Sequence, residues 1–170
     1  MIPKGLLPED ANWCIAGGYA ACPALAGDVD IWVMVDGPIF DCFDRLQDWL
    51  KVVVDKDQLI LDPRPDTALD QVVHELYVDE QTIKVARFWA DGRDFHLMVT
   101  YLATPEAIIE RFDISTHQVA LTATGRVVVG KGWTPPHVRP VILRHTGDRT
   151  HKRFEKICQR YGHEVGRLLA

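Results

Sequence analysis

Short apolar runs separated by glycine and acidic turns fill the first part of the chain. Trp13 to Ala16 is apolar throughout and predicts a short buried strand. Gly17-Gly18 follows as a turn, and the small residues Tyr19 to Ala26 are typical of a helical turn. Asp30 to Val35 is a second apolar run, rich in strand-forming residues, and predicts the next strand.

The spacing of apolar residues then changes to a helical period. From Phe40 to Val53 they recur every three or four residues, which predicts an amphipathic helix packed on a sheet. Leu59 to Asp70 contains two prolines and is predicted to be a loop. An antiparallel meander of three strands should follow, with turns at Asp79-Glu80 and Asp91-Gly92: Val72 to Val78, Thr82 to Trp89 and Phe95 to Tyr101.

Helix-start signals return after the meander. Thr104-Pro105-Glu106 combines an N-cap residue, a proline at the first helical position and an acidic first turn, and it predicts a helix that runs on to Phe112. Thr116 to Leu121 and Arg126 to Val129 flank a Thr-Gly turn and predict a hairpin. Asp148 to Leu169 predicts a basic C-terminal helix, with Gly162 as a candidate break.

This order of elements predicts an α/β fold of the α+β type. We expect a mixed, mostly antiparallel sheet flanked by helices, with a C-terminal helix. The principal domain should cover residues 1–135, and residues 136–170 should form a basic helical extension packed on the same domain. With 170 residues, of which 47% are hydrophobic and 25% charged, the chain can bury an apolar core without disulfides or a structural metal.

Charge and cysteine usage exclude several classes of protein. The formal net charge of -5 argues against a broadly basic surface that coats nucleic acid, although basic residues concentrate between Arg126 and Arg167. The four cysteines form no Cys-x-x-Cys pair, which argues against a zinc ribbon and indicates reduced thiols. Because no apolar run is long enough to span a bilayer, we expect a cytoplasmic protein with no membrane partner.

Two aspartates open the second predicted strand. Asp28 and Asp30 stand at positions i and i+2, so their side chains project from the same face. Such carboxylates can hold a pair of Mg²⁺ or Mn²⁺ ions about 3.5–4 Å apart, which activate an attacking hydroxyl and stabilise a departing pyrophosphate. Gly17 and Gly18, which precede Asp28 by a short helix, would let the backbone approach a triphosphate.

Residues 13 to 35 thus combine a strand, a Gly-Gly turn, a short helix and an Asp-x-Asp strand, and this order resembles the nucleotidyltransferase superfamily. The resemblance implies the nucleotidyltransferase fold, an NTP substrate and transfer of NMP to a hydroxyl acceptor, with Asp28 and Asp30 as metal ligands. The acceptor stays open among an RNA 3′ end, a protein side chain and a small molecule. The whole chain is similar to small stand-alone relatives, often phage-encoded, that end in a basic helix.

A second stretch resembles the head domain of tRNA nucleotidyltransferases and poly(A) polymerases. Residues 111–120 read Arg-Phe-Asp-Ile-Ser-Thr-His-Gln-Val-Ala, with Phe112 in place of the family's second Arg and His117 in place of its Asn. The resemblance implies nucleotide contacts by Arg111, Asp113 and His117. For Asp113, a turn carboxylate that follows a helix is the alternative.

Many polymerase-like members use a third catalytic carboxylate on the strand next to Asp-x-Asp. Asp94 directly precedes a predicted strand in roughly that place, and His96 would point to the same face as Asp94. Lys84 and Arg87, on the preceding strand, are candidates for contacts to the triphosphate.

Three alternatives stay open beside an active transferase. A degenerate member would keep the fold and bind nucleotide or a macromolecular partner without transfer. An antitoxin-like member would adenylylate a partner toxin. An unrelated α/β domain with acidic strand ends is the alternative to the family itself, since fold resemblance does not settle function.

Overall fold

The structure is a computed structural model that describes residues 6–55, 76–79, 81–90, 93–144 and 147–163. Within these residues it combines helices with a mostly antiparallel open sheet, and the last helix lies near the C-terminal end, which confirms the predicted α+β class. In chain order the helices and strands are β1 (Trp13–Ala16), α1 (Gly18–Ala21), β2 (Asp28–Met34), α2 (Ile39–Asp55), β3 (Leu76–Asp79), β4 (Thr82–Ala90), β5 (Arg93–Thr100), α3 (Pro105–Ile109), β6 (Val119–Thr122), β7 (Val127–Val129) and α4 (Asp148–Arg160).

The chain forms two compact units, each assembled from two separate stretches of sequence. Unit 1 comprises Met1–Ile15 and Gly27–Thr104, and unit 2 comprises Ala16–Ala26 and Pro105–Ala170. The predicted division into residues 1–135 and 136–170 stays a prediction.

Five strands form the sheet of unit 1, in the order β3-β4-β5-β2-β1. The consecutive strands β3, β4 and β5 pair antiparallel, which confirms the predicted meander. β2 pairs antiparallel with β1 and parallel with β5. β2 and β5 are therefore central strands, and their parallel register fixes which side chains lie next to one another.

Both central strands begin with one polar face and end buried on both faces. Val29, Ile31, Phe95 and Leu97 are at most 1% exposed and form part of the core of unit 1. The residues that alternate with them at the strand starts are only partly buried. Because successive side chains point to opposite faces of a strand, the polar residues of β2 and β5 share one face of the sheet.

α2 packs on this sheet through one apolar stripe and contacts β4 and β5. Ile39, Phe43, Leu46 and Leu50 recur at the predicted helical spacing and are 3–8% exposed. Phe40, which the apolar pattern also includes, is 48% exposed and lies off the stripe. Each fully buried side chain of this kind contributes about 1.5–3 kcal/mol, so the stripe anchors α2 to the sheet.

Unit 2 is built around the β6–β7 hairpin and α4. The hairpin turns at Gly125, whose φ of +81° suits glycine, as the Thr-Gly signal predicts. α3 packs against both strands of the hairpin. The side chains of Phe154, Ile157 and Cys158 on α4 join Ile114 in a core cluster in which each is at most 5% exposed. One apolar face of α4 is thus buried within unit 2.

Two predicted boundaries between α3 and β6 are wrong. α3 ends at Ile109 instead of Phe112, and the N–H groups of Arg111 and Phe112 close turns onto the last helical carbonyls. The strand predicted from Thr116 begins at Val119, because Ser115–His117 forms a 3₁₀ turn. Hydroxyl side chains compete with regular backbone pairing in such segments.

The end of α4 agrees with the predicted break at Gly162. The last helical residue is Arg160, and Gly162 has a φ of +72°. The N–H of His163 donates to the carbonyl of Cys158 at 2.8 Å, and the N–H of Gly162 donates to the carbonyl of Gln159 at 3.2 Å. These two bonds form a Schellman motif, in which glycine adopts the left-handed conformation that ends the helix.

Several predictions lie outside the described residues. They are the loop 59–70, the first part of the strand predicted at 72–78, the turn residues Glu80 and Asp91-Gly92, and the continuation of the last helix over 164–169. In the described part of the chain, no helix is long and apolar enough to cross a membrane.

Candidate active site

The parallel register of β2 and β5 brings three predicted site carboxylates onto one face of the sheet. Asp28 lies opposite Asp94, and Asp30 lies opposite His96. Asp28 and Asp30 are two residues apart on β2, as are Asp94 and His96 on β5, so all four side chains project from the same face. This acidic cluster, defined as Asp28, Asp30, Asp94, His96 and the neighbouring Arg87, lies entirely within unit 1.

Arg87 reaches the cluster from β4. It pairs with His96 in the β4–β5 register, and Asp94 lies diagonally across from it. Its Nε donates to Oδ1 and Oδ2 of Asp94, at 3.0 Å each, while Nη2 also donates to Oδ2. The hydrogen bond to Asp94, together with the charges of Asp94 and Asp28, raises the pKa of the Arg87 guanidinium despite its partial burial. Arg87 therefore remains a cation and engages both oxygens of Asp94.

His96 connects two of the carboxylates. Its Nδ1 lies 3.0 Å from Oδ1 of Asp30, and because an ionised carboxylate only accepts hydrogen bonds, Nδ1 donates. Its Nε2 lies 3.7 Å from Oδ2 of Asp94 and, within the described structure, makes no hydrogen bond. His96 is 19% exposed, against 34% for Asp30 and 14% for Asp94. The imidazole therefore fixes the orientation of Asp30 from inside the cluster.

The net charge of the acidic cluster determines which ions it attracts. Three carboxylates and one guanidinium give a net charge of -2 when His96 is neutral. Like charges opposite one another on neighbouring strands destabilise a sheet, so the Asp28–Asp94 pair needs a cation nearby. Arg87 supplies one positive charge, but it is half exposed, and an ion pair screened by water to this degree contributes only about 0.2–1 kcal/mol. The cluster therefore keeps a net negative charge, which favours the binding of a further cation.

The ligand chemistry of the cluster fits Mg²⁺ or Mn²⁺. Both are hard cations that prefer carboxylate oxygens, and Asp28 and Asp30 offer them on one face. In the ranges that the structure describes, no three His, Cys, Asp or Glu side chains already converge as a ready-made metal site. Since Arg87 and His96 engage the oxygens of Asp94 and one oxygen of Asp30, a metal ion would meet fewer competing contacts at Asp28 and at Oδ2 of Asp30.

The glycine turn belongs to unit 2. Gly17 has a φ of +89°, and its N–H donates to the carbonyl of Val119 at 3.0 Å, so this amide is already used. A methyl group at Gly18 would lie 3.6 Å from Nε2 of His117 and 3.7 Å from Nη1 of Arg160. The turn thus has two basic side chains beside it. α1 spans four residues, too few for a strong helix dipole at its start.

The other predicted nucleotide contacts are dispersed. Asp113 is 6% exposed, and its carboxylate accepts hydrogen bonds from Thr150 at 2.9 Å and Arg153 at 3.1 Å. Arg111 is exposed in unit 2. Lys84 pairs with Met98 in the β4–β5 register, and its side chain is outside the described part of the structure. The bonds of Asp113 are those of a structural turn carboxylate.

A cavity of about 780 Å³ lies elsewhere in unit 1. Its walls come from the end of β2 and from α2, and include Val35, Asp36 and Trp49. Asp28, Asp30 and Asp94 do not line it. The acidic cluster is thus an open, partly exposed site at the other end of β2.

No protein-family model and no curated protein matches this chain.

Two contacts of predicted site residues are not visible in the sequence: His96 with Asp30, and Arg160 beside Gly18. His96 is one of seven histidines, and the signal that singles it out is its i+2 spacing from Asp94. Arg160 is one of several basic residues on α4, and no local pattern links it to Gly18. Only the fold of each unit brings these residues to their neighbours.

Proposed function

We propose that this chain is a metal-dependent nucleotidyltransferase of the nucleotidyltransferase superfamily, which transfers NMP from an NTP to a hydroxyl acceptor and releases pyrophosphate. The observation that carries the proposal is the parallel β2–β5 register, because it gathers Asp28, Asp30 and Asp94 on one sheet face. A face with three carboxylates and a single resident guanidinium favours divalent cations. The reaction class follows from the Gly-Gly and Asp-x-Asp order, to which this clustering adds support.

Asp28, Asp30 and His96 have roles in the proposed mechanism, and the assignment of Asp94 as a third catalytic carboxylate stays a prediction. Asp28 and Asp30 would hold the metal, which when bound supplies Lewis-acid stabilisation of phosphate charge. His96 donates to Oδ1 of Asp30 and so orients the carboxylate for metal binding, as partners of metal ligands generally do. The assignment of Gly17, Gly18, Lys84, Arg87, Arg111, Asp113 and His117 to nucleotide binding stays a prediction.

The acceptor we propose is RNA, because the two units differ in charge. Counted over the sequence, unit 2 has eleven Lys and Arg against six Asp and Glu, a net charge of +5. Unit 1 has eight basic and eighteen acidic residues, a net charge of -10. A polyanion is attracted to clustered basic residues and repelled by acidic ones. An RNA acceptor would therefore bind through unit 2.

A catalytically degenerate binding module is the second candidate. The observation that favours it is the engagement of Asp94 by Arg87 and of Asp30 by His96, since the guanidinium offsets one carboxylate charge and both side chains occupy oxygens that could otherwise bind a metal. Such a protein would bind nucleotide and leave it intact.

The decisive experiment measures pyrophosphate release from each NTP with Mg²⁺ or Mn²⁺ and RNA. Asp28→Asn and Asp30→Asn should each lower the rate by about a hundredfold or more, equal to about 2.7 kcal/mol of lost transition-state stabilisation. Asp44→Asn, on an exposed position of α2, is the matched control and should retain the wild-type rate. Circular dichroism would verify that all three variants are folded.

Two results would separate the candidates. Equal rates in wild type and in both cluster variants would refute the transferase proposal. Metal-dependent nucleotide binding without pyrophosphate release, with RNA and protein acceptors alike, would favour the binding module.

A further inference from the structure

We propose that Arg87 occupies the place of a second metal ion, so that the acidic cluster binds one divalent cation per chain instead of two. The inference rests on the proposed function for the existence of the metal site. In this arrangement Asp94 is the ion-pair partner of Arg87, and Asp28 and Asp30 are the metal ligands. Arg87 thereby positions the carboxylate of Asp94 and supplies a positive charge that offsets it.

Arg87 engages Asp94 on both of its carboxylate oxygens. Nε of Arg87 donates to both carboxylate oxygens, and Nη2 donates to Oδ2 as well. Asp94 is 14% exposed, so its desolvated carboxylate depends on this cation. Nε2 of His96 lies 3.7 Å from the same Oδ2 on another side. Arg87 thus engages both oxygens of Asp94 and His96 crowds the same carboxylate, so a metal ion could bind Asp94 only by displacing Arg87.

The carboxylate oxygens of the cluster differ in whether Arg87 and His96 engage them. His96 donates to Oδ1 of Asp30, and the Arg87 hydrogen bonds all go to Asp94. The carboxylate of Asp28 and the Oδ2 atom of Asp30 receive none of these hydrogen bonds. They come from adjacent same-face positions of one strand, so they can bind one cation together. Mg²⁺ and Mn²⁺ sites commonly take one or two carboxylates and complete their shell with water and substrate phosphate.

The net charge of the cluster suits one divalent cation. The cluster has a net charge of -2 with His96 neutral, and one divalent cation brings it to zero. A second divalent cation would give a net charge of +2 beside the guanidinium, which opposes its entry. Removing the side-chain charge of Arg87 changes the net charge of the cluster to -3 and frees both oxygens of Asp94. The same change should therefore create a second metal site.

Mn²⁺ binding to the intact chain, without nucleotide, tests the inference by calorimetry and by paramagnetic resonance titration. Wild type should bind one Mn²⁺ ion, with Asp30→Asn abolishing this binding. Arg87→Met should bind two Mn²⁺ ions, the first about tenfold more tightly than in wild type. Arg45→Met is the matched control, because Arg45 is an exposed arginine of unit 1 whose ion pair is with Asp10, outside the cluster; it should bind one ion with wild-type affinity.

Asp94→Asn keeps the test decisive if Arg87→Met fails to fold. Since Asp94 is not a metal ligand in wild type under this proposal, Asp94→Asn should still bind one Mn²⁺ ion. The double variant Arg87→Met with Asp94→Asn should also bind one, because the new site needs the freed carboxylate.

The outcomes distinguish this inference from the proposed function. Two ions bound to wild type, or loss of all Mn²⁺ binding in Asp94→Asn, would overturn the role of Arg87 while leaving the transferase proposal intact. One ion in both wild type and folded Arg87→Met would also overturn it. Absence of Asp28- and Asp30-dependent Mn²⁺ binding in wild type would refute the metal site of the proposed function, and the inference with it.

Discussion

Asp113 is buried and bonded on both carboxylate oxygens within unit 2. Thr150, which is fully buried, donates to Oδ2, and Arg153 donates to Oδ1. The backbone carbonyl of Asp113 also accepts the N–H of Leu143 at 2.8 Å. The residue thus links the turn after α3 to the first turns of α4. Asp113 therefore has a structural role, although it also stands in the stretch that resembles the head domain of tRNA nucleotidyltransferases and poly(A) polymerases.

Asp113→Asn should destabilise the protein by about 1–3 kcal/mol, because an amide cannot accept both hydrogen bonds and the buried hydroxyl of Thr150 loses a charged partner. The Arg153 bond contributes little to this figure, since that guanidinium is 43% exposed. Urea denaturation measures the change. Asp44→Asn, at an exposed position inside α2, is the control and should stay near wild type. An unchanged midpoint for Asp113→Asn combined with weaker NTP binding would instead favour the nucleotide contact.

The sequence identifies the aspartates of the acidic cluster more reliably than the side chains that contact them. Asp28 and Asp30 are visible because an i, i+2 pair at a strand start has a geometric meaning that needs no other strand. The neighbours of Asp94 are not visible in this way, since its pairing with Arg87 depends on the diagonal register of β4 and β5. The sequence predicts a triphosphate contact for Arg87, whereas in the structure Arg87 contacts the carboxylate of Asp94.

Among elements, the ones predicted best are those whose periodicity spans many residues. α2 and the β3–β5 meander follow directly from helical and alternating patterns. The segment from Glu110 to Gln118 is harder to predict, because turns there depend on specific backbone and hydroxyl hydrogen bonds. Ser115, for example, has its hydroxyl 2.6 Å from that of Thr134 and accepts the N–H of Val141 at 2.8 Å. Such partners are distant in sequence and leave no periodic signal.

The packing of α4 can be followed through the thiol of Cys158. Cys158 is fully buried, and burial raises its pKa, so little thiolate forms at pH 8 and alkylation should be slow in the folded protein. Phe154→Ala should cost about 3–5 kcal/mol through the cavity it leaves in this cluster. Iodoacetamide labelling followed by mass spectrometry should then show much faster modification of Cys158.

Lys152→Ala is the control for this experiment, since Lys152 lies on the exposed face of α4. Its Cys158 should stay as protected as in wild type. Rapid labelling of Cys158 in wild type and Lys152→Ala alike would contradict the docking of α4 on the core of unit 2.

For the whole molecule, the uneven charge of the two units is the property with the widest consequence. The overall charge of -5 conceals units of -10 and +5. The sequence shows basic residues concentrated toward its C-terminal part. Only the division of the structure into two units shows that these residues belong to unit 2. Long-range fields act on encounter rates, and salt screens them over about 8–10 Å at ordinary ionic strength.

The proposed binding of RNA should therefore depend on salt through unit 2. Lys152 and Lys156 are exposed one helical turn apart on α4, and neutralising both as Lys152→Gln with Lys156→Gln should reduce the slope of log K against log salt by about 0.7 for each phosphate that the protein no longer neutralises. Fluorescence anisotropy with a labelled oligonucleotide measures this slope. Arg45→Gln in unit 1 should leave it unchanged, and an equal slope in all three proteins would rule out α4 as the RNA-binding surface.

The parallel pairing of β2 with β5 has a consequence for how the protein is made. Asp30 and His96 are 66 residues apart in the chain, and at ribosomal speeds of about 5–20 residues per second the later strand is synthesised about 3–13 s after the earlier one. Until β5 inserts between β4 and β2, the acidic cluster does not exist. A nascent chain released before that point would carry both aspartates of β2 without the histidine and carboxylate that complete the face. Prematurely terminated products should accordingly lack the proposed activity, which should be confined to chains synthesised beyond β5.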